Sequence, residues 1–153
     1  NEDKKMLKQN WISSTYTDLN LSIDSPDALY RSPDSTINKL TFISSNKNLE
    51  INLITKPIDE NSDLSNELIN DFKERNFINV ITKNEDFQTL DGDKGVKIFG
   101  SFDDQNLNRK KDYTTILFVV NKLSIKLEII FERGNANLQK IVDRVINSLK
   151  FNK

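Results

Sequence analysis

Two apolar strands separated by only two residues constrain this chain more than any other feature. The first, Tyr113-Thr-Thr-Ile-Leu-Phe-Val-Val120, is rich in the β-branched and aromatic residues that suit a pleated, half-buried surface. The second, running from Leu123 to Glu132, is apolar at every odd position from Leu123 through Phe131. Asn121-Lys122 lies between them, and asparagine tolerates the positive φ that a two-residue hairpin turn requires. Such a turn pairs Val120 with Leu123, Phe118 with Ile125, Ile116 with Leu127 and Thr114 with Ile129. All but one of these residues are apolar, so they make a core face. The reverse face mixes Tyr113, Thr115, Ser124, Lys126 and Glu128 with Leu117, Val119 and Ile130. A slip of one residue would exchange the two faces, so an even-length turn is required.

The rest of the chain reads as pieces that pack on this hairpin. Asn1 to Gln9 is polar and lysine-rich and is expected to be a flexible tether of nine residues, with one domain over residues 10–153. Trp11, Ile12 and Tyr16 open the folded part. Leu19, Leu21 and Ile23 alternate with polar residues as a half-buried strand, ended by Ser25-Pro26-Asp27. Ser32-Pro33-Asp34-Ser35 is loop. A four-residue loop, Ser45 to Asn48, sets Phe42 opposite Ile51 and Leu40 opposite Leu53, and Pro57 stops the second strand. A helix is expected from Asp63 to Arg75, capped by Ser62, with Leu64, Leu68, Ile69 and Phe72 as its apolar stripe and Asn76 as its left-handed stop. Ile78 to Thr82 reads as a strand. Phe87–Leu90 and Val96–Phe102 form a further hairpin around Asp91 to Gly95, and Asp103 to Asp112 a surface loop. The last helix spans Ala136 to Leu149 behind an Asn135 cap, with Leu138, Ile141, Val142, Val145, Ile146 and Leu149 at helical spacing. Phe151 is placed to pin the chain end to the sheet. The whole is an α+β fold, an antiparallel sheet flanked by helices.

What is missing narrows the chemistry. The 153 residues contain no cysteine and no histidine, which removes thiol nucleophiles, disulfides, the commonest general base and the commonest transition-metal ligand. A net charge of −1 makes no case for nucleic acid. No apolar run approaches the length of a membrane-spanning helix; the longest, Ile116 to Val120, is a core strand. The first residue is Asn1, not Met, which fits a removed signal peptide or a tether behind a lipidated cysteine, and equally an arbitrary boundary.

Each candidate cluster has a plainer account. Asp91-Gly92-Asp93 lacks the further ligands and closing Glu of a calcium loop, and Lys94 stands where a ligand should be, so a glycine-containing turn is expected. Arg109-Lys110-Lys111 is the densest basic cluster, but Asp103, Asp104 and Asp112 cancel most of its field. Lys126 and Glu128 are either a polar pocket floor or a strand face that is partly solvated or covered by side-chain stems, and the second is the expectation. The mixed reverse face is the natural candidate for a partner site if it is left open, and the expected alternative is that the first helix lies over it, with Leu64, Leu68 and Phe72 on Leu117, Val119 and Ile130 and the charges at the rim. No P-loop, dinucleotide glycine pattern or serine elbow is present. Trp11, Tyr16 and Tyr30 are expected in core or rim. No catalytic, cofactor-binding or metal-ligating residue is identified.

The first helix lying between hairpins, the run Tyr113-Thr-Thr-Ile-Leu-Phe-Val into Leu123 to Phe131, and the ending Ile141-Val-Asp-Arg-Val-Ile-Asn-Ser-Leu-Lys-Phe151 together resemble the PsbP-like family. That family includes a photosystem extrinsic subunit, DcrB-like bacterial lipoproteins and chaperones of secreted toxic effectors. The chain departs from its pattern after the first strand, where Asp27-Ala28-Leu29-Tyr30 replaces the expected Gly-Trp turn. The resemblance implies an αβα sandwich and a binding module, and carries over no site residues. It implies a non-enzymatic interaction protein without cofactors, exported and envelope-associated, with a lipid anchor as one option. The alternative is a cytosolic chaperone or adaptor that holds an apolar segment of a partner protein. A signal peptide with a lipobox cysteine upstream would favour the first, and Met directly before this stretch the second.

Overall fold

A computed structural model describes residues 1–152. Ten strands form two antiparallel sheets. The strands are β1 (Trp11–Tyr16), β2 (Leu21–Pro26), β3 (Tyr30–Arg31), β4 (Lys39–Ile43), β5 (Leu49–Pro57), β6 (Phe77–Gln88), β7 (Lys94–Asp104), β8 (Arg109–Val120), β9 (Leu123–Glu132) and β10 (Lys150–Phe151). The helices are α1 (Glu2–Lys8), α2 (Leu64–Glu74) and α3 (Ala136–Asn147). The large sheet has seven strands in the order β3-β4-β5-β9-β8-β7-β6, and the small one has three in the order β1-β2-β10.

The organising hairpin is β8–β9. Its register matches the expectation at each pair: Val120 with Leu123, Phe118 with Ile125, Ile116 with Leu127, Thr114 with Ile129. Asn121 and Lys122 both take positive φ, 50° and 61°, the geometry of a type I′ turn. Phe42 faces Ile51 and Leu40 faces Leu53, as their alternation requires.

Strict alternation along β8 and β9 divides the apolar residues between two cores. On the front face Ile116, Phe118, Ile125, Leu127 and Ile129 lie in one cluster with Leu138, Ile141, Val142, Val145 and Leu149 of the α3 region and with Leu21 and Ile23 of the small sheet. On the back face Tyr113 and Ile130 join Leu68 and Phe72 of α2 in the other. Ile129 and Ile130 are neighbours in sequence and belong to different cores. β10 pairs with β2, and the Phe151 ring meets Phe118 edge to face at 4.9 Å, so the chain end is pinned as expected.

Several local expectations need correction. Residues 1–9, expected as a tether, contain α1: Asn1 caps it by accepting from the Lys4 amide, and Met6 is buried in the front core. Asp3 is buried as well, accepting from the side-chain amides of Asn46 and Asn135. Two apolar residues in seven are too few for a periodic signal, and the docking is tertiary. Trp11–Tyr16 is a full strand. Residues 77–88 form one strand, not two pieces, with a register shift between Ile78 and Ile81. Most of the expected loop 103–112 is strand, since only Gln105 to Asn108 turn the chain between β7 and β8. Helix α2 is capped by Asp63, whose carboxylate accepts from the Asn66 amide; Ser62 instead hydrogen-bonds Asp59. Asn76 does take the left-handed conformation after it.

Candidate functional site

Helix α2 sits on the back face of the large sheet, and an ion cluster fixes its last turn there. Leu68 and Phe72 point down, and Arg75, three residues beyond Phe72, falls on the same side. Its guanidinium reaches both oxygens of Glu128 on β9 at 2.9 and 3.2 Å, Asp71 at 3.0 Å and Glu50 at 3.6 Å. Glu128 is fully buried and also accepts from the Asn52 side-chain amide at 3.0 Å. Burial works to pull the Arg75 pKa down, but the carboxylates of Glu128 and Asp71 more than reverse it, so the guanidinium is held above its ordinary value. The first helix covers this face as expected, but Glu128, expected to be partly solvated at the rim, is buried beneath it. A buried carboxylate needs a paired charge and satisfied lone pairs, and the arginine supplies both.

Aromatic packing continues the anchor. The Phe72 ring lies 5.0 Å from Tyr113, 5.4 Å from Phe102 and 5.5 Å from Phe77, and Phe77 and Phe102 stack at 3.9 Å. The Arg75 guanidinium lies over Phe77 at 4.7 Å. Tyr113 reaches from β8 across β7 to β6, where its hydroxyl meets Thr82 Oγ1 at 2.7 Å and donates to the Ile81 carbonyl at 3.2 Å. The crossing works because Gly100 lies between them: a Cβ there would stand 1.8 Å from that carbonyl oxygen.

Between α2 and β6 this arrangement leaves a groove of 480 Å³. Leu68, Ile69 and Phe72 line the helix side, Phe77, Ile78 and Val80 the strand side, and Ile98 the floor. Ile69, placed in the buried stripe by its spacing, is 50 % exposed on the rim. Ile78, Val80 and Ile81 are also exposed. β6 is the last strand of its sheet, so one side of its backbone pairs with β7 and the other has no strand beside it. An apolar groove running along an unpaired strand edge is the structural requirement for holding an extended peptide. On the other flank of α2 lies a cavity of 240 Å³, which shares Leu68 and Ile98 with the groove.

The mixed back face of the hairpin, which the sequence marks as the natural partner surface, divides into three. Ile130 is buried in the back core, Leu117 is half-buried at the smaller cavity, and Val119 is 55 % exposed. The basic run does not form a free patch, since Arg109 stands opposite Asp104 and Lys110 opposite Asp103. Lys111 is buried, its ammonium donates to the Lys47 carbonyl, and burial pushes its pKa down. Asp91 and Asp93 lie in the β6–β7 turn, where Gly92 takes a φ of 95°. Among the described residues no group of three or more carboxylates is placed to hold a metal ion. Trp11 packs beneath the Arg144 guanidinium at 3.9 Å, and Tyr30 lies exposed on the edge strand β3.

These elements define an antiparallel α+β sandwich with one helix-flanked groove on its back face. Solved structures of that class match nearly the whole chain. Cyanobacterial PsbP (CyanoP) from Synechocystis aligns with a TM-score of 0.59 at 9% identity, over 92% of each chain. The Ran-binding protein Mog1p from Saccharomyces cerevisiae aligns with a TM-score of 0.61 at 11% identity, over 94% of this chain and 96% of its own. A point mutant of Mog1 gives 0.58 at 10% identity, over 95% and 97%. The PsbP-like resemblance thus holds as a fold. No protein-family model and no curated protein sequence matches the chain, and at these identities the likeness speaks for architecture alone.

Proposed function

We propose that this protein is a non-enzymatic binding module that holds an extended, largely apolar segment of a partner protein in the groove between α2 and β6. One observation carries this reading: the unpaired edge of β6 runs alongside a 480 Å³ apolar groove whose rim keeps Ile69, Ile78 and Val80 exposed. A segment laid there would add a strand to the sheet through β6 and place alternate side chains against Leu68 and Phe72. One protein of similar fold, Mog1p, binds Ran, which supports a protein as the kind of partner. The clustered polar groups on the back face serve architecture, because Arg75 is committed to Glu128, Asp71 and Glu50. That supports binding over catalysis.

The compartment we propose is the cell envelope, reached by export. No helix among the described residues is long and apolar enough to cross a membrane. A cytosolic role holding an apolar partner segment uses the same groove. Cell fractionation of the full-length protein separates the two.

The binding reading is tested with a photo-crosslinking residue at Val80 in cells, against one at Lys140 on the exposed side of α3. The Val80 probe should capture a protein. A synthetic peptide of the captured segment should then slow amide exchange along β6. Equal capture at both positions, or protection anywhere but β6 and α2, would refute the assignment.

A further inference from the structure

The open edge of β6 carries charges that complement themselves when the strand is reversed. The first part of the strand is irregular, since its pairing with β7 shifts between Ile78 and Ile81 and Asn79 takes a φ of 53°. From Ile81 to Gln88 the ladder is unbroken, and every residue from Ile81 to Asp86 is exposed. The groove sets α2 back from this edge, so the helix does not overhang it. Exposed edges are normally guarded by charged side chains, which repel a second edge when like meets like. Here the guards are Lys83 and Glu85, unlike charges two residues apart on one face.

Two copies of β6 laid antiparallel about a two-fold axis can pair only residues of the same face, because outward N–H and C=O groups recur at every second residue. With Asn84 opposite Asn84 of the second copy, Lys83 stands across from the second copy's Glu85, and Glu85 across from its Lys83. Ile81, 57 % exposed in the single chain, then lies across from Phe87 of the second copy. The next register to one side sets Lys83 against Lys83, and the next to the other side sets Glu85 against Glu85. Both charges are free to reach across. Lys83 forms no ion pair among the described residues. Glu85 meets Lys97 at 3.4 Å through one oxygen, and its side chain is 53 % exposed.

We propose that β6 pairs with β6 of a second copy in the register centred on Asn84, which makes the two seven-stranded sheets continuous. The second copy and a partner segment use the same edge, so the dimer covers that edge until a partner displaces it. The pairing itself stands on the β6 sequence and does not require the partner reading.

Sedimentation equilibrium of the full chain at micromolar concentrations should show a mass rising from 17.7 kDa towards twice that value. Glu85→Lys sets lysine against lysine at both symmetric pairs, and Lys83→Glu sets carboxylate against carboxylate. Each should weaken the dimer about tenfold or more. Mixed in equal amounts, the two variants should associate at least as tightly as the parent, because every pair is again unlike. That rescue also shows that both variants fold. The chain has no cysteine, so Asn84→Cys introduces a single thiol, which should oxidise to a linked dimer while Lys140→Cys on α3 should not. A mass of 17.7 kDa at every concentration, unchanged association in both charge variants, a mixture no tighter than either variant alone, or equal linking at 84 and 140 would each overturn the inference. The Val80 probe keeps the two readings apart: a captured second copy belongs to this pairing, and a different protein to the partner groove.

Discussion

Replacing Arg75 by Leu tests how α2 is held. The Glu128 carboxylate is 0 % exposed, while the Arg75 side chain is 21 % exposed, so nearly all the desolvation falls on the acid. Without the guanidinium that carboxylate keeps one hydrogen bond, from Asn52 at 3.0 Å, in a site closed to water. Removing one partner of a buried pair costs about 3–5 kcal/mol, a large share of the stability of an ordinary domain. Glu128→Leu should be milder, about 1–3 kcal/mol, because Arg75 keeps Asp71 and Glu50 and reaches solvent. The double variant Arg75→Leu/Glu128→Leu removes both charges and should cost clearly less than the sum, with a coupling of about 2–3 kcal/mol. Urea unfolding followed by Trp11 fluorescence and by helical circular dichroism gives all three values. A loss below about 1 kcal/mol for Arg75→Leu, or additivity within about 0.5 kcal/mol, would show that the cluster does not fix the helix.

Three further outcomes follow from the same packing. Gly100→Ala should cost about 3 kcal/mol or more, since its Cβ would stand 1.8 Å from the Ile81 carbonyl, and amide exchange should rise first along β6. Tyr113→Phe should cost about 1 kcal/mol through lost hydrogen bonds to Thr82 and Ile81. Burial raises the Tyr113 pKa above 10.0, against a smaller opposing effect from Thr82, so its contribution is complete below pH 10 and disappears as pH climbs through the native-state value. Unfolding measured across that alkaline range should show the parent losing stability more steeply than Tyr113→Phe. Leu127→Ala, at a site 1 % exposed in the front core, should cost about 2–5 kcal/mol by equilibrium unfolding.

The parts of this fold legible in the sequence are those where one face is buried and the other differs from it. β9 is apolar at every odd position from Leu123 to Phe131, and with the two-residue turn this sets the register of the β8–β9 hairpin. α3 is equally clear, because its apolar spacing runs through three turns. β6 is not. Of its twelve residues only Phe77 is buried, so no burial period is imposed on the sequence, and Lys83-Asn84-Glu85-Asp86 resembles a loop. Its exposed apolar residues Ile78 and Val80 line the candidate groove, so the least patterned strand carries the proposed function. The burial of Glu128 is hidden for a related reason. Alternation assigns it to the back face, but only the position of α2 decides whether that face is wet. The available signal is helical: Leu68, Asp71, Phe72 and Arg75 share one side of α2, which predicts a cation beneath the helix and a carboxylate to meet it.

The unequal covering of the two sheet faces explains the openings on either side of α2. The front face is covered by α3, α1 and the three-stranded sheet, which together contribute Met6, Leu21, Ile23 and the apolar side of α3, and it keeps an opening of 410 Å³ beside Tyr16, Leu40 and Leu53. The back face has α2 alone, eleven residues long. Such a helix spans about 16 Å and is about 10 Å wide. Seven strands at about 4.8 Å spacing present a surface about 29 Å across. One helix cannot close that width, so a gap must open on each of its flanks. The sheet residues beneath those gaps then determine what each can hold. Under the β6 flank they are Phe77, Ile98 and an unpaired strand edge, which suit a protein segment. Under the β5–β9 flank they are Ile54, Leu117 and Lys126, with no unpaired strand edge beside them. Because Arg75 sets how α2 lies between them, Arg75→Leu should weaken crosslinking of a partner at Val80, whereas a substitution of Lys126 on the other flank should leave it unchanged.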